Sequence, residues 1–567
     1  MKKILSIIIA LIVIAGCSDE FLDTENLTQK TSSNFPANID EANQALTGIY
    51  TILPSFSAMS NILMLSELRS DDRFGGGGQN DRDPQAINVF RVTTENLHSN
   101  CWSNYYRGIF RCNTLLSSLD NVKWDSDESR KSIVGQTYFL RAYYYFDLAR
   151  LFGPVPMPLN PEPENLPKAA PDVLYGQIAS DLKNAIENLP DKPADYTQIG
   201  RASKWAAEAL MARMFLFYTG YYQKSEITLP EDGGKITKDD VIAWVDDCVA
   251  NSGHQLVDDF RNLWPYSISQ EHYGYARDND LHWVGDDGGN TEAIFQIAYA
   301  PVTSSNWSEQ VWYSNQVDLY CGFRNSELQV PFGRGWGFMP VNPKLYEDWP
   351  NDDIRKQGSI LNVNDESEGI EDEYVWGADM QWQETGFIGK KYIPINVVDN
   401  DAKVNYSVPM YGATTNFQIN NTQNIIVIRL ADVLLMGAEL GSPSAQEYMD
   451  RVRERVGLPS VPVNLDNIKK ERHYELAFEG QRYFDLLRWY GEDAGTVIKQ
   501  NMNYAEIYNM TIKTTINADR NNGYFDQIDQ RVKNTGGFLM IPNDEIELSK
   551  GVLEQNPGWV NSSNTMF

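Results

Sequence analysis

The sequence predicts a mainly α-helical protein: a tetratricopeptide-like scaffold of paired helices, forming an α-α superhelix, with long irregular insertions and a few short strands. Amphipathic segments with helical spacing recur toward both ends of the 567-residue chain. Residues 253–424 differ, because they are rich in Gly, Asn, Asp and Pro and show poor helical periodicity. Paired helices with alternating small and large apolar residues are typical of stacked helix-turn-helix units. No strict repeat of about 34 residues is visible, so the prediction depends on pairing rather than period.

The N-terminal part of the chain predicts five amphipathic helices. Their expected bounds are residues 42–53, 99–116, 128–151, 175–189 and 205–220. Pro54 follows the first, Gly153-Pro154 follow the third and Pro190 follows the fourth, as helix-ending residues do. Ser99 stands where a side chain can cap the second helix.

Further elements are expected after residue 290. Residues 292–299 and 425–428 predict short strands, since β-branched and aromatic residues dominate them. Residues 429–440 and 443–456 predict a tight helical hairpin that ends at Gly457 and Pro459. The irregular middle is expected to form long ordered loops on a helical platform, where functional residues are often found.

Residues 471–489 predict one more helix, largely buried and unusually charged. At about 100° per residue, one stripe is apolar and consists of Leu476, Gly480, Tyr483 and Leu487. The stripe beside it is charged and consists of Glu471, Glu475, Glu479 and Arg482. Buried acids need cationic partners, for which the expected donors are Arg472, Arg482, Arg488 and Arg429. Glycine weakens a helix, so Gly480 predicts close approach by a neighbouring element.

The first residues predict export and lipid attachment. Lys2 and Lys3 precede an apolar run over residues 4–15, which is too short to cross a bilayer and fits a secretory signal. Small residues then lead to Cys17, in the pattern of a bacterial lipoprotein cleavage site. We expect residues 1–16 to be removed and Cys17 to carry the lipid anchor. The alternative is an ordinary signal peptide with a chance cysteine.

Composition restricts the partners of the chain. With 48 basic and 77 acidic residues, its formal net charge is −29, which repels nucleic-acid phosphates and anionic membrane surfaces. We therefore expect no nucleic-acid partner. A hydrophobic fraction of 42% and an aromatic fraction of 12% exclude disorder as the general state of the chain.

The cysteines predict no metal site. Cys101 and Cys112 lie on one predicted helix about 16 Å apart, beyond the ~7 Å limit of a disulfide. A bond between Cys248 and Cys321 stays open. Neither these residues nor the five histidines show a metal-binding spacing.

No catalytic motif stands out. The chain lacks a nucleophile elbow, a phosphate-binding loop, a zinc-protease motif and a calcium-binding loop. We therefore expect no cofactor and no catalytic residues. Among 77 acids some carboxylate pair is inevitable, so a glycoside hydrolase dyad can be neither identified nor dismissed.

Aromatic residues cluster in the irregular middle of the chain, interleaved with Gly, Asn, Ser and Asp. They are Trp283, Trp307, Trp312, Tyr313, Tyr320 and Trp336. Sugar rings stack their C–H faces on such side chains, while polar neighbours bind the hydroxyls. A single Trp is more often a core residue, but we expect at least two of this set to line a ligand surface.

A second candidate is the loop that follows residue 69. Asp72, Arg73 and Phe74 precede four consecutive glycines, Gly75 to Gly78, which fit neither a stable helix nor a central strand. A charged pair and a phenylalanine on a pliable loop could reach the edge of a sugar. Trp102 lies in a nearby segment and is expected in the core.

Several of these segments together resemble the SusD/RagB family, the nutrient-binding lipoproteins of Gram-negative outer membranes. Residues 471–489, ERHYELAFEGQRYFDLLRW, resemble its longest signature. The other matching segments are FLRAYYYFDL at 139–148, FGPVP at 152–156, RLADVLLMGAE at 429–439, VRERVGL at 452–458, MIPNDEI at 540–546 and QNPGW at 555–559. The resemblance covers nearly the whole chain, most weakly at about residues 220–340 and 350–425.

The resemblance implies a single domain over residues 17–567. Its expected parts are an N-terminal helical part (17–220), a loop-rich ligand-facing part (221–424) and a C-terminal helical part (425–567). It also implies the tetratricopeptide-like scaffold, and an early loop that contributes to a glycan site, for which Asp72 and Arg73 are the matches here. Acids directly after Cys17 resemble the family's signal for export to the outer face of the outer membrane.

The resemblance further implies what the protein does. We expect a cell-surface lipoprotein that binds oligosaccharide without cleaving it and delivers it to a SusC-like TonB-dependent outer-membrane transporter. Two alternatives stay open: a peptide-binding uptake subunit of the RagB branch, and a surface glycoside hydrolase. The expected ligand-binding residues are Asp72, Arg73, Phe74, Trp283, Trp307, Trp312, Tyr313 and Trp336.

Overall fold

The computed structural model describes residues 35–559, apart from short gaps. The gaps are 56–60, 79, 93–98, 197, 286–288, 311–312, 326, 371–373, 504–505, 510–513, 518–522 and 524. Cys17 and the predicted signal peptide lie outside the described residues. Among the described residues no helix combines the length and the apolar character that a membrane span requires.

The N-terminal helices are α1 Ile39–Tyr50, α2 Ile62–Leu68, α3 Arg82–Asn88, α4 Ser99–Ser117, α5 Asp127–Phe152, α6 Pro171–Asn188, α7 Lys204–Tyr221 and α8 Lys238–Asn251. Short helices of the middle are α9 Gly274–Asp278, α10 Trp307–Gln310, α11 Gln316–Cys321, α12 Pro343–Asp348, α13 Ile354–Ser359 and α14 Ser407–Tyr411. The C-terminal helices are α15 Leu430–Leu440, α16 Ala445–Glu454, α17 Leu465–Glu475, α18 Arg482–Tyr490, α19 Ala494–Asn503, α20 Ile528–Thr535 and α21 Asn543–Leu548. The five predicted N-terminal helices and the predicted hairpin are confirmed to within a few residues.

The long helices pack in chain order, as a helical-repeat scaffold requires. Helix α1 contacts α4 and α5, and contacts then continue from α5 through α6 and α7 to α8. Helix α15 closes the series by packing on α8, α16 and α17. The predicted tetratricopeptide-like class is therefore confirmed. The scaffold also includes α8, which lies inside the part of the sequence assigned to loops.

The strands are short and occur in pairs. They are β1 Ile227–Thr228, β2 Lys235–Ile236, β3 Ala293–Ile297, β4 Phe323–Arg324, β5 Arg334–Gly335, β6 Ile360–Asn362, β7 Phe387–Gly389, β8 Asn396–Asp399, β9 Ala402–Asn405, β10 Ile425–Arg429, β11 Glu506–Asn509 and β12 Thr514–Asn517. The pairs are β1–β2, β3–β10, β4–β5, β6–β7, β8–β9 and β11–β12, and only β4–β5 is parallel. The two predicted strands, β3 and β10, pair with each other and carry buried residues from the middle of the chain into the scaffold.

The single helix predicted over residues 471–489 is wrong. Helix α17 ends at Glu475 and α18 begins at Arg482. Between them the backbone has positive φ at Phe478 (67°) and Gly480 (74°), which a helix does not allow. Periodicity did not reveal the break, because the residues on both sides of it are buried.

The predicted close approach at Gly480 is confirmed. The backbone N–H of Gly480 donates to Glu67 Oε1 at 2.9 Å, and Ser66 Oγ donates to the Gly480 carbonyl at 3.0 Å. A Cβ on this residue would lie 3.2 Å from the Cα of Leu63. Helix α2 therefore packs directly against the backbone of the non-helical segment between α17 and α18.

A buried network of charges surrounds the break. The Arg429 guanidinium binds three carboxylates: Glu479 at 2.7 Å, Glu475 at 2.5 Å and Glu292 at 2.8 Å. Arg355 adds ion pairs to Glu475 and Glu471 at 2.8 and 2.5 Å. The remaining members are Asp353, Lys391, Arg453 and Arg455, so five cations face five acids. Charges this deeply buried are tolerated only when they are paired, and here they are.

Of the four predicted donors, only Arg429 binds this stripe of acids. Arg472 instead pairs with Asp432 and Asp485, and Arg488 pairs with Asp485 and Glu439. Arg482 pairs with Asp71. The partners that the sequence did not indicate, Arg355, Lys391, Arg453 and Arg455, come from segments far away along the chain or from the far side of the hairpin.

The four cysteines of the described residues are buried, free thiols. Cys101 and Cys112 both lie on α4 and are unpaired, as predicted. Cys248 and Cys321 do not form a disulfide either, which closes the alternative that the sequence left open.

Replacing Arg429 by Met is expected to destabilise the protein strongly. The substitution leaves three carboxylates in the core without their shared cation, at a cost of roughly 3–5 kcal/mol. Chemical denaturation measures the loss. The control is Arg277→Ala, because Arg277 forms only an exposed pair with Asp278, at 3.0 Å, and its loss should cost less than about 0.5 kcal/mol. Equal losses for both variants would contradict the role assigned to the network.

One buried acid has no hydrogen-bond partner within the described residues. The carboxylate of Glu208 on α7 is fully buried, and both of its oxygens lack a partner. Lys204 lies 3.6 Å away but donates to Asp191 at 3.1 Å and to Asp247 at 2.8 Å. Burial therefore raises the pKa of Glu208 to about 9, against the opposing charge of Lys204.

This carboxyl predicts a pH dependence of stability. In the unfolded chain Glu208 loses its proton near pH 4.5, but in the folded protein it does so only near 9. Its contribution to the free energy of unfolding is therefore complete below pH 4.5 and is lost as the pH rises through 9. We expect wild-type protein to lose stability relative to Glu208→Gln between about pH 5 and about pH 9, as measured by urea denaturation. Glu187→Gln, at an exposed position of α6, is the control; parallel curves for Glu208→Gln and wild type would contradict the assignment.

Candidate functional site

Four aromatic side chains from the irregular middle form one cluster, which we call the aromatic platform: Trp307, Tyr320, Trp336 and Phe338. The rings of Trp307 and Trp336 are stacked, with centroids 5.9 Å apart and planes inclined by 28°. The ring centroid of Tyr320 lies 4.6 Å from that of Trp336 and 4.7 Å from that of Phe338. Trp307 and Trp336 are only half-buried, so part of the surface of each indole remains accessible.

Backbone hydrogen bonds fix the position of the platform. The segment that follows β5 runs along the end of α11 and the start of β4. Trp336 N donates to the Leu319 carbonyl and Phe338 N to the Tyr320 carbonyl, both at 2.8 Å. Since these bonds hold the main chain on either side of Trp336, the indole is presented from a rigid base.

The glycine run lies directly behind this segment. Phe74 N donates to the Pro340 carbonyl at 2.9 Å, and Gly76 N donates to the Phe338 carbonyl at 2.8 Å. A Cβ on Gly76 would lie 2.3 Å from the carbonyl oxygen of Gly337, so no larger residue fits there without displacing the neighbouring chain. The expectation of a pliable loop is wrong: the glycines permit close packing of two backbone segments.

The three residues before the glycines are also placed differently from the prediction. Asp72, Arg73 and Phe74 are 1%, 2% and 0% exposed. Asp72 Oδ1 binds His473 Nε2 at 2.7 Å, and Arg73 donates to the Met339 carbonyl at 2.8 Å. They therefore do not present a ligand surface. The sequence showed a charged pair beside glycines but not the partners that bury it.

A charged pair on the rim of the platform was missed by the sequence reasoning. Arg324 on β4 lies 3.2 Å from Asp81 and donates to the Trp336 carbonyl at 3.0 Å. Asp81 also accepts from the backbone N–H of Gly78 at 2.5 Å. Both side chains are partly exposed, 22% for Arg324 and 35% for Asp81. In the sequence, only the position of Asp81 just after the glycine run could have indicated this pair.

The other predicted ligand residues are not part of the platform contacts. Trp283 packs edge-on against Tyr406, with centroids 5.4 Å apart, and is half-buried. Tyr313 is 55% exposed, just before α11. Trp312 lies outside the described residues. Of the predicted set, the structure thus brings together Trp307 and Trp336.

One group of residues in the described part of the chain has the donors and the spacing of a metal site: Asp71, Asp72 and His473. Both carboxylate oxygens of Asp71 already accept hydrogen bonds: Arg482 donates to each of them at 2.8 Å, and Asn501 donates to one at 2.6 Å. Although burial raises it, the Arg482 charge holds the pKa of Asp71 below its usual range. The arrangement joins the segment before the glycine run to α17 through the Asp72–His473 contact and to α18 through the Asp71–Arg482 ion pair.

Two family models match the chain on either side of the central region. A model described as the SusD family matches residues 291–559. A second, described as starch-binding and associating with the outer membrane, matches residues 20–216. The chain belongs to the SusD/RagB family. The resemblance carried by residues 471–489 and the other motifs is therefore confirmed.

Individual members of the SusD/RagB family align over most of the chain. A SusD-like protein, P2, of Formosa agariphila is 26% identical, covering 86% of this chain and 91% of that protein. A solved structure described as a laminarin-binding SusD-like protein is 28% identical, with a TM-score of 0.68 over 92% of this chain and 99% of that one. Surface glycan-binding protein A from Bacteroides thetaiotaomicron, solved with laminarihexaose, shares the fold at 21% identity, with a TM-score of 0.69 over 92% of this chain and 99% of that one.

The glycine packing behind the platform predicts opposite effects for two Gly→Ala substitutions. Gly76→Ala places a methyl group into the Gly337 carbonyl and should cost about 1–3 kcal/mol. Gly48→Ala lies within α1, where a Cβ meets nothing within 4 Å, and should stabilise by about 0.5–1 kcal/mol. Thermal melting of the two variants checks this. A Gly76→Ala protein that melts like wild type would show that the two backbone segments are not tightly packed.

Proposed function

We propose that this protein is a cell-surface lipoprotein that binds oligosaccharide on the aromatic platform and does not cleave it. The observation that carries the proposal is the half-exposed, stacked pair of Trp307 and Trp336 on a rigid base. The accessible part of this stacked pair is an apolar aromatic surface on which the C–H face of a sugar ring can pack.

The surroundings of the platform supply the polar part of such a site. Sugar rings stack their C–H faces on indoles, while hydroxyl groups need donors and acceptors at the edge. Arg324 provides N–H donors and Asp81 provides carboxylate acceptors, 3.2 Å apart and partly exposed. A neutral glycan also suits a chain of net charge −29, which would repel an acidic one.

The family relatives support this class of ligand. The 28%-identical structure is described as laminarin-binding, and the model that matches residues 20–216 is described as starch-binding. Both are glucans, so a glucan is the first ligand to test. Trp283 and Tyr313 are proposed as outlying contacts for a longer chain, since Trp283 is only partly buried and Tyr313 is 55% exposed.

We also propose that the protein is anchored by lipid at Cys17 on the outer face of the outer membrane, and that it passes its ligand to a SusC-like TonB-dependent transporter. The signal-like residues 1–16 and the acids after Cys17 support the anchor. The family assignment supports the transporter, and the model description "associating with outer membrane" supports the location.

Substituting a platform tryptophan should weaken glycan binding without unfolding the protein. Trp336→Ala and Trp307→Ala are each expected to cost on the order of 1–3 kcal/mol of binding free energy, by analogy with aromatic stacking on nucleobases. Isothermal titration calorimetry with laminarihexaose and maltohexaose measures the loss, and thermal melting monitors the fold. Trp244→Ala, at a half-buried tryptophan of α8, is the matched control and should bind normally.

Assays on the same purified protein distinguish glycan binding from the peptide-binding and hydrolase alternatives. If neither these glucans nor a wider glycan array yields binding, while basic peptides are retained, the peptide-binding alternative is favoured. Release of reducing ends from polysaccharide, lost on substitution of a single carboxylate, would establish a hydrolase and overturn the proposal. Early melting of both Trp variants with normal binding would make them core residues.

A further inference from the structure

A cavity of about 440 Å³ lies in the helical scaffold, and no residue of the aromatic platform lines it. Its walls come from α1, α5, residues 189–196 and 198–203 before α7, and β3. We call it the scaffold cavity and define it by Asn43, Gln136, Gln198, His254, Asn290 and Gln296. The volume falls within the roughly 300–1,000 Å³ that is typical of small-molecule sites.

The walls of the scaffold cavity are held in place by hydrogen bonds. Tyr50 OH donates to Gln136 Oε1 at 2.9 Å and accepts from the Ala202 N–H at 2.8 Å, which ties α1, α5 and the loop together. Tyr196 OH donates to the Gly253 carbonyl at 2.6 Å. His254 Nδ1 lies 3.0 Å from the Thr291 carbonyl, beside the start of β3. Because its walls are fixed, the cavity requires little ordering to accept a ligand.

The lining is polar but nearly uncharged. Side-chain amides dominate, and a hydroxyl is supplied by Ser132. Burial lowers the pKa of His254, so its ring is neutral at pH 7. Of the two cations, Arg201 is turned to the Tyr50 ring, 4.5 Å away, while Lys192 lines the cavity together with Asp195, which has the opposite charge.

Such a lining matches a particular ligand chemistry. Gln136 and the Asn290 carbonyl oxygen are already bonded within the protein. The side-chain amides of Asn43 and Gln198 offer both donors and acceptors, as vicinal hydroxyl groups do, and neither selects for a charge. Tyr196 and His254, whose ring centroids are 5.5 Å apart, add an aromatic wall on which a C–H face can pack. An uncharged, polyhydroxylated molecule satisfies this set of groups better than a carboxylate, a phosphate or an apolar compound.

We propose that the scaffold cavity is a second saccharide site, which takes an uncharged sugar of about one or two rings. It differs from the platform in offering a polar cleft of limited volume instead of an aromatic surface. A site of this kind holds a free sugar or the end of a glycan, independently of contacts along the glycan.

The test uses the full mature protein and short sugars. Saturation-transfer NMR and calorimetry with glucose, galactose, mannose, xylose and their disaccharides measure binding to wild type. Asn43→Trp fills the mouth of the cavity and should weaken binding by about tenfold or more, whereas Gln44→Trp, the next residue of α1 and not part of the lining, should change it by less than about twofold. Gln198→Ala, on the loop, removes an amide from the lining and should also weaken binding.

The platform variant Trp336→Ala separates the two sites, since it should leave binding of the short sugars unchanged. Loss of short-sugar binding in Trp336→Ala would place that binding at the platform and overturn the proposal. So would equal binding by Asn43→Trp and Gln44→Trp, absence of binding by every short sugar, or stronger binding of glucuronate or a dipeptide than of any neutral sugar. Laminarihexaose binding is measured in the same titrations. In wild type, absence of short-sugar binding alone would contradict the cavity proposal, and absence of laminarihexaose binding alone would contradict the platform proposal.

Discussion

The fold depends on the pairing of Arg429 with three buried carboxylates. Glu292 precedes β3, Glu475 ends α17, and Glu479 lies in the break before α18, so one guanidinium joins the middle of the chain to its C-terminal helices. Charges in this environment have no access to water, and each loses its compensation if a partner moves. The network therefore adds fixed pairwise contacts to the apolar core, and it holds the irregular middle on the helical scaffold.

This constraint also explains which parts of the fold the sequence could predict. Amphipathic helices such as α1 and α4 follow local periodicity, and their bounds were predicted to within a few residues. The break at Gly480 was not predicted, because it is stabilised by Glu67 and Ser66, more than 400 positions away. Local spacing carries no information on partners at that distance. The presence of glycine did, however, indicate close approach.

The candidate site shows the same division. Aromatic clustering among polar residues put Trp307 and Trp336 in one predicted set, and the structure brings these two side chains into contact. The burial of Asp72 and Arg73 could not be predicted from local sequence. It depends on His473, which contacts Asp72, and on the Met339 carbonyl, which accepts from Arg73. Arg324 was missed for the converse reason: an isolated arginine on a two-residue strand has no pattern of its own.

The contact between Gly76 and the chain that carries Trp336 has a consequence for how ligand preference can change. Because two main chains touch there with no side chain between them, neither segment can be lengthened or bent without altering the other. Substitutions of the aromatic and polar side chains at this face are therefore tolerated more easily than insertions or deletions in the two backbone segments that carry them. New preferences would arise by substitution, and the shape of these backbone segments would be inherited.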